Sequence, residues 1–275
     1  MRRTGLAVAA MAAVGALTLT ACGGGSTGAN GSSDKIKIGI KFDQPGLGFK
    51  DGENYKGFDV DVARFVAKEL GYAEDKIEWV SAPSANRENM LQNKQVDMIF
   101  ATYSITDKRK ESVAFAGPYF VAGQDLLVKS DSDISGPEAL NGKNLCSVTG
   151  STSAQKVKDN YAAKVNLQEL PGYAECVTTM ACGSIDAVTT DDIILAGLAA
   201  QEAYKGKFKV VGQPFSTEKY GVGLNKDSDK CAAINTAIKK MIDSGEWKKA
   251  LEANTAGTGY TPSKDNPPAQ DACAK

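Results

Sequence analysis

The stretch ATYSITDKRKESVAFAGPY, Ala101 to Tyr119, decides how the rest of this chain is read. It follows the apolar run Val96-Asp97-Met98-Ile99-Phe100, sets Thr102, Ser104 and Thr106 in alternation, and runs into Lys108, Arg109 and Lys110. An apolar run that changes to alternating hydroxyls and then to cations predicts a buried strand whose end faces a cleft. In open α/β sheets, ligands sit at the carboxyl ends of strands, where helix N-termini and loop amides converge.

Working outward, short β-like runs alternate with helical patterns from Lys35 onward, which predicts an α/β architecture with mostly parallel sheets. Strands are expected at Ile36 to Ile40, Ile77 to Ser81, Val96 to Ala101, Asp125 to Lys129, Asn144 to Val148, Asn166 to Leu170, Ile185 to Thr189 and Val222 to Leu224. Helices are expected near Asp59 to Glu69, Arg87 to Gln92, Ser153 to Tyr161, Tyr173 to Cys182, Ile193 to Tyr204, Lys230 to Ser244 and Glu246 to Asn254. In the first of these, Val60, Ala63, Phe65, Val66, Ala67 and Leu70 form one apolar face. Asp59 and Asp61 invite a metal reading, but a carboxylate at the start of a helix is better explained as accepting from its unpaired N–H groups. The tail from Thr255 carries Pro262, Pro267 and Pro268 and should run over the surface without regular structure.

Two βαβ-type halves, near 35 to 121 and 126 to 212, are followed by a return segment running on to 275. The first 21 residues stand apart: Arg2 and Arg3, an apolar run from Gly5 to Leu19, then Leu19-Thr20-Ala21-Cys22. That pattern predicts a lipoprotein signal, with Cys22 acylated and Gly23 to Ser33 serving, within residues 22 to 34, as a flexible tether. Without Arg2 and Arg3, 30 cationic side chains face 33 acidic ones. Neither sign dominates, so nothing points to nucleic acid or to a basic membrane-binding face. Beyond Cys22, five cysteines remain in an exported chain, so one is left over and the spacing alone does not choose the pairs. With no histidine in the chain, structural bridges outweigh a zinc site, and no metal or cofactor is expected.

The ordered motifs around the cleft resemble the family 3 (polar amino acid) solute-binding proteins of ABC importers, which have the type II periplasmic-binding-protein fold. They are Gly57-Phe58-Asp59-Val60-Asp61, Asp97 through Arg109, Phe115-Ala116-Gly117-Pro118-Tyr119, Thr149-Gly150-Ser151-Thr152, Asp186-Ala187-Val188 through Asp191, and Tyr220-Gly221-Val222-Gly223. Within the family, Lys41-Phe42-Asp43-Gln44-Pro45-Gly46, Ser84-Ala85-Asn86-Arg87-Glu88, Leu145 through Thr152, and Thr189-Thr190-Asp191 are similar to actinobacterial glutamate-binding lipoproteins. The resemblance implies two α/β lobes joined by a two-segment hinge, near Ala122 to Leu126 and Pro214 to Tyr220.

It also implies a binding site. Arg109 stands where the family places a planar fork for an α-carboxylate. Ser104 fits a shared hydroxyl, and the Thr102 carbonyl an ammonium acceptor, although many relatives have glycine where Thr102 stands. From the second lobe, Ser151 and Thr152 match the loop whose amides meet the same carboxylate, and Asp191 matches the acid for the α-ammonium. Against that, Asp191 could be a helix cap before Ile193, as could Asp192. Lys41, Ser84 and Arg87 occupy positions that reach a side-chain carboxylate in relatives taking acidic amino acids. By the same resemblance Cys146 is paired with Cys176. Cys273, at the end of the loose tail, is then expected to be pinned by Cys231 at the start of the preceding helical region, leaving Cys182 over.

The function so implied is capture of L-glutamate, or a related amino acid, by a monomeric lipid-anchored protein on the outer face of the membrane that hands it to an ABC permease. An amino-acid sensor would use the same binding chemistry. An enzyme on this fold, such as a cyclohexadienyl dehydratase, would need a general acid or base aimed at a scissile bond, and the chain offers no recognisable arrangement.

Overall fold

The computed structural model describes residues 35–161 and 165–273. The signal expected at 1–21 and the tether at 22–34, with Cys22, lie outside the described residues. In chain order the elements are β1 (Ile36–Ile40), β2 (Asp43–Gln44), β3 (Gly48–Asp51), β4 (Asn54–Lys56), α1 (Phe58–Glu69), β5 (Ile77–Ser81), α2 (Arg87–Gln92), β6 (Met98–Phe100), α3 (Asp107–Lys110) and β7 (Ala114–Ala122). Then follow β8 (Gln124–Lys129), β9 (Asn144–Val148), α4 (Thr152–Asn160), β10 (Asn166–Leu170), α5 (Tyr173–Ala181), β11 (Ala187–Asp191), α6 (Asp192–Ala199) and β12 (Phe208–Val210). The chain closes with β13 (Glu218–Leu224), α7 (Cys231–Asp243) and α8 (Glu246–Thr255).

Two five-stranded sheets define two lobes, in the orders β5-β1-β6-β13-β7 and β10-β9-β11-β8-β12. The expectation of mostly parallel sheets needs correction. In each sheet the first three strands are parallel, and the last two run antiparallel to their neighbours. The reason lies in the connection between lobes. β7 runs straight into β8 through Gly123, and β13 returns beside β7, so β8 and β13 enter their sheets against the direction set by the βαβ units, whereas β7 and β12 keep it. Between β1 and α1 the chain forms a separate small antiparallel sheet, β2-β3-β4.

The α1 face is as patterned: Val60, Ala63, Val66 and Ala67 are buried, while Lys68 and Glu69 are exposed. Under it sits an aromatic core in which Phe58 meets Phe120 and Trp247 edge-on, each at 5.5 Å, and Trp247 Nε1 donates to the Tyr119 carbonyl. Disulfides join Cys146 to Cys176 and Cys231 to Cys273; Cys182 is exposed and free. The tail after α8 has no regular structure, but Asn266 pairs through both amide atoms with the Val121 backbone of β7. Among the described residues no helix is long and apolar enough to cross a membrane.

Candidate functional site

Lobe one's contribution begins where β6 ends. Thr102 takes φ 47°, a left-handed conformation that a side chain adopts only under constraint. The constraint is Asp59, which accepts from the Thr102 amide (2.9 Å) and from the Tyr119 hydroxyl (2.8 Å). Asp59 therefore does not cap α1, as its position in sequence suggested; its partners lie across the sheet, because the Phe58 end of α1 is packed flush on β6 and β7. Burial pushes the Asp59 carboxyl up to about 6 despite those donors.

Past Thr102, Tyr103 presents its ring to two cations. The guanidinium carbons of Arg87 and Arg109 lie 4.2 and 4.9 Å from its centroid. Arg87, 2% exposed, donates Nη1 to the Ala101 carbonyl and leaves Nε without a partner. Arg109 donates Nε to Glu88, Nη1 to the Ser104 carbonyl and Nη2 to the Gly150 carbonyl of lobe two. A guanidinium has five N–H donors, so two of Arg109's remain after these three bonds. At the end of β1, buried Lys41 donates to the Ser84 hydroxyl at 2.8 Å.

Lobe two answers with helix N-termini. Ser151 caps α4, its hydroxyl accepting from the Ala154 amide. Its own amide donates to the Val148 carbonyl. In this arrangement the Ser151 amide is engaged within the turn that ends β9. Thr152, the first residue of α4, points its hydroxyl at Ser104 across the cleft, 3.4 Å away. Asp191 occupies the cap position of α6 without capping it; Asp192 accepts from the Ile193 amide instead. Asp191 Oδ2 receives the Tyr220 hydroxyl at 2.6 Å, and its Oδ1 is buried with no partner.

These residues fall around two adjoining spaces. Ser84, Arg87, Thr102, Ser151, Thr152 and Asp191 line an inner crevice with Tyr173, Thr190 and Ile194. The crevice measures about 10 Å³, room for about one water. Arg109 faces an outer mouth of about 550 Å³, shared with Ser84, Ser151, Thr152, Glu88 and Lys156. Ser84, Ser151 and Thr152 line both spaces and so form the wall between them. Lys41 and Ser104 line neither and reach the wall through Ser84 and Thr152. Sequence reasoning missed Tyr103, Tyr173 and Tyr220, which carry no local signal. It placed Tyr220 only within a motif and a hinge segment.

The electrostatics of the wall are unbalanced. Burial, then the Arg87 charge, pushes the Lys41 ammonium down to about 7. Burial, then Arg109, pushes Arg87 down to about 10. On the facing side, burial and then Glu218 push the Asp191 carboxyl well above the usual carboxylate range. In each case burial is the largest cause, and the nearby opposite charges, Asp43 and Asp59 for Lys41, Glu88 for Arg87 and Arg109 for Asp191, offset it only in part. A molecule carrying anionic and cationic groups together would relieve both sides. Among the described residues there is no group of three or more His, Cys, Asp or Glu that could hold a metal ion.

Comparison with known proteins agrees with this geometry. The profile of the bacterial extracellular solute-binding proteins, family 3, matches residues 36–255. The glutamate-binding protein GluB of Corynebacterium glutamicum is 46% identical over 90% of this chain and 89% of its own length. The ABC transporter glutamine-binding protein GlnH of Bacillus subtilis is 36% identical over 84% of this chain and 89% of its own. Among solved structures, an ancestral arginine-binding protein bound to glutamine superposes with a TM-score of 0.75 at 33% identity, covering 81% of this chain and 98% of that one. These named relatives are binding proteins, not enzymes.

Proposed function

The chain belongs to the bacterial extracellular solute-binding proteins, family 3, and on that premise we propose that it captures L-glutamate between its lobes and delivers it to an ABC permease. Arg109, with its two remaining donors, and Thr152 take the α-carboxylate. The orphaned Asp191 Oδ1 and the Thr102 carbonyl take the α-ammonium, and Ser104 bridges the two charges. Ser84 and Arg87 face the γ-carboxylate, with Lys41 reaching it through the Ser84 hydroxyl. The 46% identity to a glutamate-binding relative supports this choice of ligand. So does the observation that carries the reading: Arg87 and Asp191, both buried and both lining the crevice, each keep a polar atom with no hydrogen-bond partner in the protein, Arg87 Nε and Asp191 Oδ1.

An amino acid does not fit the crevice as it stands, so binding requires the lobes to part and close again about the segments near Ala122 to Leu126 and Pro214 to Tyr220. Micromolar binding needs only about −8 kcal/mol net, within reach of several charge-assisted hydrogen bonds of about 1.5–3 kcal/mol each after ordering costs. Acylation at Cys22 would hold the protein on the outer membrane face, and the tether would keep it within reach of the permease. A sensor role would use the same site, and loss of uptake on deletion separates importer from sensor.

The test is a thermal-shift panel over the twenty amino acids, repeated with Arg109→Ala and Arg87→Ala. The reading expects glutamate to give the largest shift, Arg109→Ala to abolish every shift, and Arg87→Ala to lose only the acidic ligands. A glutamate shift that survives Arg87→Ala would overturn the side-chain assignment.

A further inference from the structure

Among the described residues, most glycines with open space around a would-be Cβ have a positive φ, as at Gly183 and Gly206, which sit in turns. Gly172 and Gly197 are different. Gly172, at the cap of α5, has φ −139° and ψ 155°, and Gly197 lies inside α6, so neither backbone requires glycine. What both lack is room. A Cβ on Gly197 would lie 2.1 Å from the Pro45 carbonyl oxygen, and one on Gly172 would lie 2.6 Å from Asp43 Oδ2. Both obstructing atoms belong to lobe one, in the short segment from β2 into the following turn. That same Asp43 carboxylate accepts from the Tyr173 amide at the start of α5, a hydrogen bond from lobe two to lobe one.

Asp43 to Pro45 is thus a tongue of lobe one seated between the N-terminus of α5 and the face of α6. Tyr173 and Ile194 on those two helices line the inner crevice, so the tongue lies at its rim. We propose that Gly172 and Gly197 are positioning residues for closure: by leaving space for Asp43 and Pro45, they permit the lobes to meet and so set ligand affinity without touching the ligand. The proposal rests on the binding function above. Its physical form is a population term, since apparent affinity falls in proportion to the fraction of molecules able to close.

The partners differ in a way that makes the idea testable. Pro45 offers a backbone oxygen that no substitution removes, whereas the Asp43 carboxylate can be deleted. The experiment is calorimetric titration with L-glutamate of the mature chain and of Gly197→Ala, Gly172→Ala, Asp43→Ala and Gly172→Ala/Asp43→Ala. Small-angle scattering at saturating ligand and thermal melts without ligand accompany it. Gly197→Ala should weaken binding ~100-fold, equally for every amino acid the parent binds, and keep the larger radius of the ligand-free parent. Its melting temperature without ligand should hold or rise, because alanine suits a helix interior better than glycine. Gly172→Ala should weaken binding ~10-fold in the parent and not at all in the Asp43→Ala background.

Parent-like affinity in Gly197→Ala would overturn the proposal, as would an unchanged Gly172→Ala penalty once Asp43 is removed. If Gly197→Ala fails to fold, the Gly172 and Asp43 set decides alone. A parent that binds no amino acid defeats the binding function instead, and the two failures are told apart by that control.

Discussion

Lobe one and lobe two meet at the same crevice with different chemistry. Lobe one brings Lys41, Arg87 and Arg109, three cations fixed before any ligand arrives: by the Ser84 hydroxyl, by the Ala101 and Ser104 carbonyls, and by the Tyr103 ring between the two guanidiniums. Lobe two brings hydroxyls at the start of α4 and a single acid, Asp191. On the proposed reading, the difference teaches that the cations for anionic groups come from lobe one, whereas lobe two would supply the ammonium partner and a hydroxyl.

The comparison breaks most readily at Arg109. Arg109→Ala removes contacts to Glu88, Ser104 and lobe two's Gly150 together with the proposed carboxylate fork, and should cost about 2–5 kcal/mol of binding for every ligand. Calorimetry with glutamate and glutamine reads it, and a loss confined to one ligand would contradict the assignment. Asp191→Asn, from the facing lobe, keeps the shape and removes the charge. It should weaken all amino acids by about 1.5–3 kcal/mol, while raising stability without ligand, because it relieves a buried carboxylate that burial disfavours. Thermal melts with and without glutamate would show the two opposed effects.

Protonation sharpens the contrast further. In the folded chain Lys41 gives up its proton near pH 7 rather than near the ordinary 10.5. The unfolded chain therefore binds more protons above pH 7, and this group's contribution to folding stability rises from about pH 7 toward 10.5. Binding runs the other way. An anionic side chain beside Lys41 favours the charged ammonium, so glutamate binding should take up a proton and weaken roughly tenfold between pH 7 and 8.5. Glutamine binding should change much less over that range, and Lys41→Met should flatten the glutamate profile. Titrations in buffers of different ionisation enthalpy measure the proton uptake directly.

The smallest effect should come from Thr102→Gly. It relieves the left-handed backbone strain at φ 47° and loses the hydroxyl contacts to Gln44 and the Ala101 carbonyl. The two changes oppose one another, and stability should stay within about 1 kcal/mol of the parent, as denaturant unfolding would record.

Much of this layout could be read from residue order, and the misses have physical causes. The limits of β1, β5, β9, β10 and α2 coincide with apolar runs bounded by turn residues. β7 escaped notice because Gly117 and Pro118 interrupt it, and a proline argues against a paired strand. The β2-β3-β4 meander is too short and too rich in glycine and acids to show a period. Asp59 was recognisable as a structural acid, but its partners Thr102 and Tyr119 are remote in sequence, so a local helix cap was the available reading. Tyr220 on Asp191 and Asp43 on Tyr173 likewise exist only once the lobes are folded against each other. Side-chain type pointed to a candidate chemistry; which atoms are already in use, as at Ser151, required the fold.

The central claim is that lobe one's buried cations select an acidic side chain. Parallel calorimetric titrations of glutamate and glutamine at pH 7, on the parent and on Arg87→Met, test it most directly. The account expects the parent to favour glutamate at least ~30-fold and Arg87→Met to erase most of that preference, with a difference of about 2–5 kcal/mol. A parent that binds glutamine as tightly as glutamate, or an Arg87→Met protein whose preference is unchanged, would contradict it.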